Sequence, residues 1–300
     1  MFPIIPANSV AASGNTEGIF GFGTTYVNET NLVSNTGVVS SDVVGVGTTR
    51  ERLAATQYGG DKGIFGFGDD TLWYNTMDET NLVSNTGVVA SDQAADTGTP
   101  RTAVAACSFG EDKGIFGFGW ASGGSGITNL VSNTGVVASD VAAVGTPRSS
   151  LAACEYGDDK GIFGFGDDGS ATAVTNLVSN TGVVASDQVT ETGTARYTLS
   201  ACSYGGDKGI FGFGSTGSYT AITNLVSNAG VVASDQAAVT GTARGSLAAC
   251  EFGGDKGIFG FGTTGSVTGV TNLVSNTGVV ASDVVAVGTA RSNLAACSFN

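Results

Sequence analysis

One hexapeptide, Gly-Ile-Phe-Gly-Phe-Gly, constrains the fold of this chain more than any other feature. It begins at Gly18 and recurs after 45, 51, 47, 48 and 48 residues, which makes six copies. Each copy precedes a variable stretch, a segment of the type TNLVSNTGVV, a Ser-Asp pair, a Gly-Thr-x-Arg sequence and a run of the type SLAACSF. Self-similarity at a period of about 20–50 residues is typical of solenoids and propellers. The sequence therefore predicts six copies of one supersecondary unit.

Each unit contains four short segments with strand character. In the last complete unit they are residues 247–252, 257–262, 272–275 and 279–282. Asn276-Thr277-Gly278 separates the last two, and Gly there permits the positive φ of a tight hairpin turn. No stretch has helical apolar spacing over three turns. We expect four antiparallel strands per unit and an all-β protein.

Four strands repeated about every 48 residues predict a six-bladed β-propeller. The repeats begin with a second strand (18–23) and end with a first strand (292–300), so we expect these two to pair and close the ring. Residues 1–14 are interpreted as a lead-in or tether and residues 15–300 as the propeller. The predicted blades are 15–50 with 291–300, 51–100, 101–147, 148–195, 196–243 and 244–290.

The composition excludes several function classes. The net charge is −14 with only 12 Lys and Arg residues, which disfavours binding to nucleic acid or to anionic lipid. Histidine is absent, so Ser-His and Cys-His catalysis and His-ligated zinc are excluded. No segment matches an EF-hand loop. We predict no enzyme activity, no cofactor and no metal, although Asp, Glu and Arg leave a hydrolase as a third alternative.

The units resemble the kelch repeats of β-propellers. The resemblance rests on the Arg before the first strand, such as Arg148 and Arg196, and on the apolar second strand ending in Gly at 210–214. The kelch Gly-Gly doublet is replaced by Gly-Phe-Gly, and the usual Tyr and Trp of the later strands by Val and Ser. TNLVSNTGVV and KGIFGFG are similar to kelch-like arrays in proteins of marine bacteriophages and other viruses.

That resemblance implies a virion component or another virus-encoded binding module. The leading expectation is a non-enzymatic binding or structural module, such as a tail or fibre appendage, that contacts a protein or a cell-surface glycan. The alternative is a lectin-like propeller that is not tied to a particle. The amino terminus has no basic residue before its apolar run and contains Pro3 and Pro6, so it is a poor signal peptide. We expect virion localisation, or otherwise a soluble protein that is cytoplasmic at synthesis, without membrane insertion.

Cysteine and arginine are both tied to the repeat. Five first strands carry a Cys at the same position, which favours buried free thiols over disulfides, because equivalent positions of different blades lie too far apart. An Arg at the start of each first strand either bridges neighbouring carbonyls and the Ser-Asp carboxylate or forms a charged ring that holds an anion or acidic sugar. The six are Arg50, Arg101, Arg148, Arg196, Arg244 and Arg291.

The units differ most between their second and third strands. The longest of these stretches, residues 69–79, contains Trp73 and Tyr74, while Trp120 and Tyr219 lie in two others. In a four-stranded meander these loops and the Arg positions share one end of the blade. Binding residues concentrate on loops of a rigid scaffold. These four aromatic residues and the six arginines are therefore the candidate ligand-binding face; the alternative is that the aromatics merely cover blade edges.

Overall fold

The computed structural model describes residues 15–70, 75–93, 98–142, 144–189, 193–236, 241–285 and 287–299, and throughout these ranges the regular structure is β. Six antiparallel sheets are present, five with three strands and one with four. The described part of the chain contains no helix with the length and apolar character needed to span a membrane.

The first strand of each sheet lies innermost, where it lines a central channel. These strands have the pattern Ala-Ala-Cys-x-aromatic or a close variant, in which small side chains allow six strands to approach one axis. They are β3 (Ala54–Tyr58), β6 (Ala105–Phe109), β9 (Ala152–Tyr156), β13 (Ser200–Tyr204), β16 (Ala248–Phe252) and β19 (Ala295–Phe299).

The second strand is the middle strand of each sheet, and it carries the hexapeptide. Its Ile and first Phe are fully buried in all six copies. The middle strands are β1 (Glu17–Gly23), β4 (Lys62–Gly66), β7 (Lys113–Gly117), β10 (Lys160–Gly164), β14 (Lys208–Gly212) and β17 (Lys256–Gly260).

The third strand carries Thr-Asn-Leu-Val and pairs with the outer side of the middle strand. The third strands are β2 (Val27–Val33), β5 (Thr80–Val83), β8 (Thr128–Val131), β11 (Val174–Val178), β15 (Thr223–Val226) and β18 (Thr271–Val274). One sheet has a fourth strand, β12 (Gln188–Val189), which pairs with β11.

The two ends of the repeat array meet in a single sheet. Strand β19 pairs antiparallel with β1, with Ile19 opposite Cys297 and Gly21 opposite Ala295. Each innermost strand packs beside the next in the order β3, β6, β9, β13, β16 and β19, and β19 packs against β3 again. This cycle of six sheets is consistent with a six-bladed propeller.

The expected four-stranded sheets are not formed as predicted: five sheets have three strands, and the fourth strand of the sixth, Gln188–Val189, lies beyond the segment equivalent to the predicted 279–282. In the last unit the segment after the Asn-Thr-Gly turn pairs with β18 through two isolated bridges, Val274↔Val280 and Thr271↔Val284, and the backbone amide of Ala281 donates to the carbonyl of Leu273 at 2.8 Å. Between these bridges the Asn272 side chain donates to the carbonyl of Ala281 at 3.0 Å. The Asn272 side chain thereby occupies the Ala281 carbonyl, which would accept from a backbone amide in a continuous β-ladder. The turn itself forms as predicted, with φ 81° at Gly278.

Five of the six middle strands end two residues earlier than expected, whereas β1 continues to Gly23 after a register shift between Gly21 and Gly23. Strand β17 stops at Gly260 because Phe261 and Gly262 adopt φ values of 62° and 106°. The left-handed region is unusual for a bulky residue and interrupts strand pairing. The second Phe of every hexapeptide shares this conformation, so the repeat includes a fixed change of chain direction after the middle strand.

The hydrophobic core is divided into six clusters, each built across two neighbouring sheets. One contains Cys107 and Ile115 from one sheet with Leu151 and Phe163 from the next. A glycine of the hexapeptide makes one such contact possible, since a Cβ at Gly164 would lie 2.7 Å from Cζ of Phe211. Packing between units therefore contributes to every cluster of the core, as expected of repeat proteins.

Candidate functional site

The variable loops and the starts of the innermost strands occupy one end of the sheets, which we call the loop face. Isolated β-bridges join the variable loops to the residues before the innermost strands, as in Thr102↔Trp120, Tyr197↔Ser215 and Gly245↔Thr263. The opposite end carries the Asn-Thr-Gly turns and the Asp-Lys turns, and we call it the turn face. The repeated sequence folds into similar turns on the turn face, whereas the loop face is where the units differ.

Two of the four candidate aromatic residues are placed on the loop face and are accessible to solvent. Trp120 is 41% exposed and Tyr219 is 39% exposed. Backbone hydrogen bonds to Thr102 hold Trp120 in place at 2.7 and 2.9 Å. Trp73 and Tyr74 lie outside the described residues. The structure therefore offers two exposed rings on a fixed backbone.

The six repeat arginines lie beneath the loop face and are fully buried. In the Arg148 example, Nε donates to the carbonyl of Phe165 at 2.8 Å and a terminal nitrogen donates to the carbonyl of Thr146 at 3.2 Å. Its guanidinium also lies 4.2 Å from the centre of the Phe118 ring in the preceding sheet. These groups bridge carbonyls and aromatic rings, and solvent does not reach them.

Burial lowers the pKa of Arg148 to about 10, and the nearby Asp187 opposes that shift. The guanidinium therefore stays charged at neutral pH. The Asp187 carboxylate accepts 3.0 Å and 2.6 Å hydrogen bonds from the backbone and hydroxyl of Thr146 in the preceding unit. It also accepts a bond from Asn176 at 2.8 Å. The Ser-Asp pair and the Gly-Thr-x-Arg sequence thus join neighbouring units to each other.

Arg52, which does not belong to the repeat pattern, lines the central channel near the loop face. Its guanidinium forms ion pairs with Glu51 at 2.7 Å and with Asp69 at 3.1 Å. The equivalent positions of the other units carry uncharged residues. The channel end at the loop face is therefore asymmetric in charge.

The six innermost strands enclose a channel of about 390 Å³, whose middle is lined by Leu or Val, Ala and, in one unit, Ser200. Near the turn face a collar of polar residues lines it, and long side chains alternate with serines around the ring. The collar consists of Gln57, Ser108, Glu155, Ser203, Glu251 and Ser298.

Both collar glutamates have raised pKa values. Burial raises the pKa of Glu155 to about 7, against hydrogen bonds from Ser108 and Gln57 that lower it. Burial and then the charge of Glu155 raise the pKa of Glu251 to about 8. The amide of Gln57 donates to the Glu155 carboxylate at 2.9 Å. The collar therefore takes up protons near neutral pH.

All five cysteines are buried free thiols, as the sequence predicts. Each sulfur packs against the first hexapeptide glycine of another unit; a Cβ added at Gly209 would lie 2.5 Å from Sγ of Cys154. Thr56 occupies the Cys position of the sixth unit and faces Gly114 in the same way. Burial raises the pKa of Cys154 to about 12, so this thiol is unreactive at neutral pH.

Sequence reasoning did not identify Arg52, the polar collar or the surroundings of Tyr219. The collar had a readable signal, because the residue after the Cys position alternates Gln, Ser, Glu, Ser, Glu, Ser along the chain. That alternation becomes meaningful once this position is known to face the channel.

No protein-family model matches this chain, and a search of the curated proteins finds no match to it.

Proposed function

We propose that this protein is a non-enzymatic binding module that contacts a protein or a cell-surface glycan through its loop face. The observation that carries the proposal is the exposure of Trp120 and Tyr219 on a face where the units depart from one another. We expect a specific ligand to contact residues that differ between units, because residues repeated in all six units present the same chemical groups around the whole ring. Exposed aromatic side chains supply large contact area at low entropic cost.

The burial of the repeat arginines supports aromatic rather than charge-based recognition. A ring of accessible guanidinium groups would favour an anion or an acidic sugar, but these six side chains have no exposed surface. Contact with a ligand therefore falls to the loops that lie above them. Rigid packing beneath the loops limits the entropy lost on binding.

We further propose that the six sheets are the blades of a ring-closed, kelch-type propeller and that the protein is a component of a viral particle. Pairing of β19 with β1 supports ring closure. The buried Arg at the start of each innermost strand supports the kelch resemblance. The viral assignment rests on the similarity of KGIFGFG and TNLVSNTGVV to viral kelch-like arrays.

The binding proposal is tested with fluorescently labelled protein on intact cells of the source organism or, for a viral sequence, of its host. The matched variant is Trp120→Ser, since Ser215 occupies the equivalent bridge position of another unit. We expect Trp120→Ser to weaken binding by about 1–3 kcal/mol, on the scale of interface hot spots, with an unchanged melting temperature. Trp73→Ala is expected to behave similarly.

Saturable binding that is unaffected by both substitutions would contradict the loop-face assignment. The viral proposal is tested separately by mass spectrometry of purified particles from the same source. Peptides of this chain at a fixed ratio to the major particle proteins would support it, and their absence would overturn it.

A further inference from the structure

Three departures from the repeat meet in one cleft of the loop face. The cleft lies between the sheet of β13–β15 and the sheet of β16–β18, and Tyr197, Tyr219 and Gly245 are the departing residues. The equivalents of Tyr219 in three other units are Gly124, Ala171 and Val267, as their shared bridge pattern shows. The equivalents of Tyr197 include Thr102, Ser149 and Gly245. No other unit places two tyrosines at these positions.

Gly245 is explained by the tyrosine beside it. A Cβ at this position would lie 2.7 Å from Oγ1 of Thr198 and 3.0 Å from Cε1 of Tyr219. The backbone at Gly245 is not in the left-handed region, so the chain conformation does not require glycine here. The missing side chain instead leaves room for the Tyr219 ring. The two departures are therefore coupled, and together they shape the cleft.

The cleft has a volume of about 350 Å³ and combines aromatic rings with hydroxyl groups. Its walls consist of Tyr197, Tyr219 and the hydroxyl side chains of Thr198, Ser215, Ser218 and Ser246, with Gly217 at the rim. Within the described structure, the hydroxyls of Thr198, Ser218 and Ser246 make no hydrogen bond to the protein. The lining contains no charged side chain.

We propose that this cleft binds one neutral sugar ring of a glycan. A tyrosine face packs against the C–H surface of a pyranose, and serine and threonine hydroxyls both donate to and accept from sugar hydroxyls. The uncharged lining and the net charge of −14 disfavour sialylated or sulfated sugars. This inference rests on the proposed function, because it names the ligand class for part of the loop face.

The test uses the full chain on an array of immobilised neutral, sialylated and sulfated glycans, followed by titration calorimetry with the best neutral glycan. Two variants restore residues found at equivalent positions elsewhere in the chain. Tyr219→Val installs the residue at Val267, and Gly245→Ser installs the residue at Ser149 and Ser292. The matched control is Val267→Ala, in the equivalent loop of the next unit.

We expect the wild type to prefer neutral glycans and both cleft variants to lose at least about 10-fold in affinity. Tyr219→Val should leave the melting temperature unchanged, whereas Gly245→Ser should lower it, since its Cβ would lie 2.7 Å from Oγ1 of Thr198. Val267→Ala should bind like the wild type. Absence of neutral-glycan binding overturns the inference, while the cell-binding test of the proposed function is read independently. Glycan binding that survives both cleft substitutions but is lost in Trp120→Ser also overturns it and leaves the loop-face proposal standing.

Discussion

The guanidinium of Arg148 lies 4.2 Å from the ring centre of Phe118, which belongs to the preceding sheet. The carbonyl of the same Phe118 accepts a 2.8 Å hydrogen bond from Nε of Arg101 in its own unit. Phe118 thereby connects the arginines of two neighbouring units. The contact between guanidinium and ring occurs in all six units, with centroid distances of 4.2 to 4.5 Å. Five of the six arginines also donate Nε to a phenylalanine carbonyl of their own sheet.

Arg148→Lys should destabilise the protein although it conserves the charge. An ammonium cannot reproduce both carbonyl bonds and the planar contact with Phe118, and it leaves buried acceptors without partners. We expect a loss of about 2–4 kcal/mol in the free energy of unfolding, measured by urea denaturation. Lys160→Gln is the control, since Lys160 is 43% exposed beside Asp159. Equal stability of the wild type and Arg148→Lys would refute the linking role.

Deletion of residues 292–300 should open the closing sheet. It removes β19, which pairs with β1 through five residue pairs from Glu17↔Phe299 to Gly21↔Ala295. The exposed edge of β1 then becomes available for intermolecular pairing. We expect a lower melting temperature and aggregation, followed by light scattering during heating. A truncated chain that stays monomeric and melts like the intact protein contradicts this expectation.

The contact between Cys154 and Gly209 predicts a compensating pair of substitutions. Gly209→Ala places a Cβ 2.5 Å from Sγ of Cys154 and 3.2 Å from the carbonyl of Glu155. Overpacking of this kind costs about 1–3 kcal/mol. Adding Cys154→Ala removes the sulfur, so the double variant should be more stable than the two single effects predict. Strict additivity in a double-mutant cycle, measured by chemical denaturation, would argue against the contact.

The raised pKa values of the collar glutamates predict that the free energy of unfolding falls as pH rises from about 5 to about 8. Their folded pKa values of about 7 and about 8 lie above the ordinary value of 4.5. The unfolded chain therefore loses these protons first, and the stabilisation present below pH 4.5 is lost as pH rises through the folded pKa values.

Because both side chains remain partly exposed, we expect on the order of 1–3 kcal/mol per carboxyl. Glu251→Gln should flatten the profile of unfolding free energy against pH, whereas Glu111→Gln, at an exposed turn, should not. A wild-type profile that is flat over this range, or one that Glu251→Gln leaves unchanged, would show that the collar does not titrate there.

Local signals in the sequence were sufficient for the number of units and for three of their strands. The hexapeptide, the Ala-Ala-Cys runs and the Thr-Asn-Leu-Val runs all form strands, because short apolar segments bounded by turns need no distant partner to be recognised. The fourth strand was predicted directly after the Asn-Thr-Gly turn, at 279–282 in the last unit. The fourth strand observed in one sheet, Gln188–Val189, lies beyond the equivalent segment. In all six units the predicted segment is engaged by a side-chain bond such as Asn272 to Ala281, which a strand pattern does not reveal.

By itself, then, the sequence determined an all-β chain of six similar units whose terminal segments complement each other. Only the tertiary structure decided that the repeat arginines are buried, that Glu155 and Glu251 share a channel, and that Gly245 accommodates Tyr219. In each case the partners come from different units: Tyr219 and Gly245 are separated by about half a repeat length, and Glu155 and Glu251 by two repeat lengths. The repeat pattern shows which residues are equivalent, but only packing between units decides which of them become neighbours.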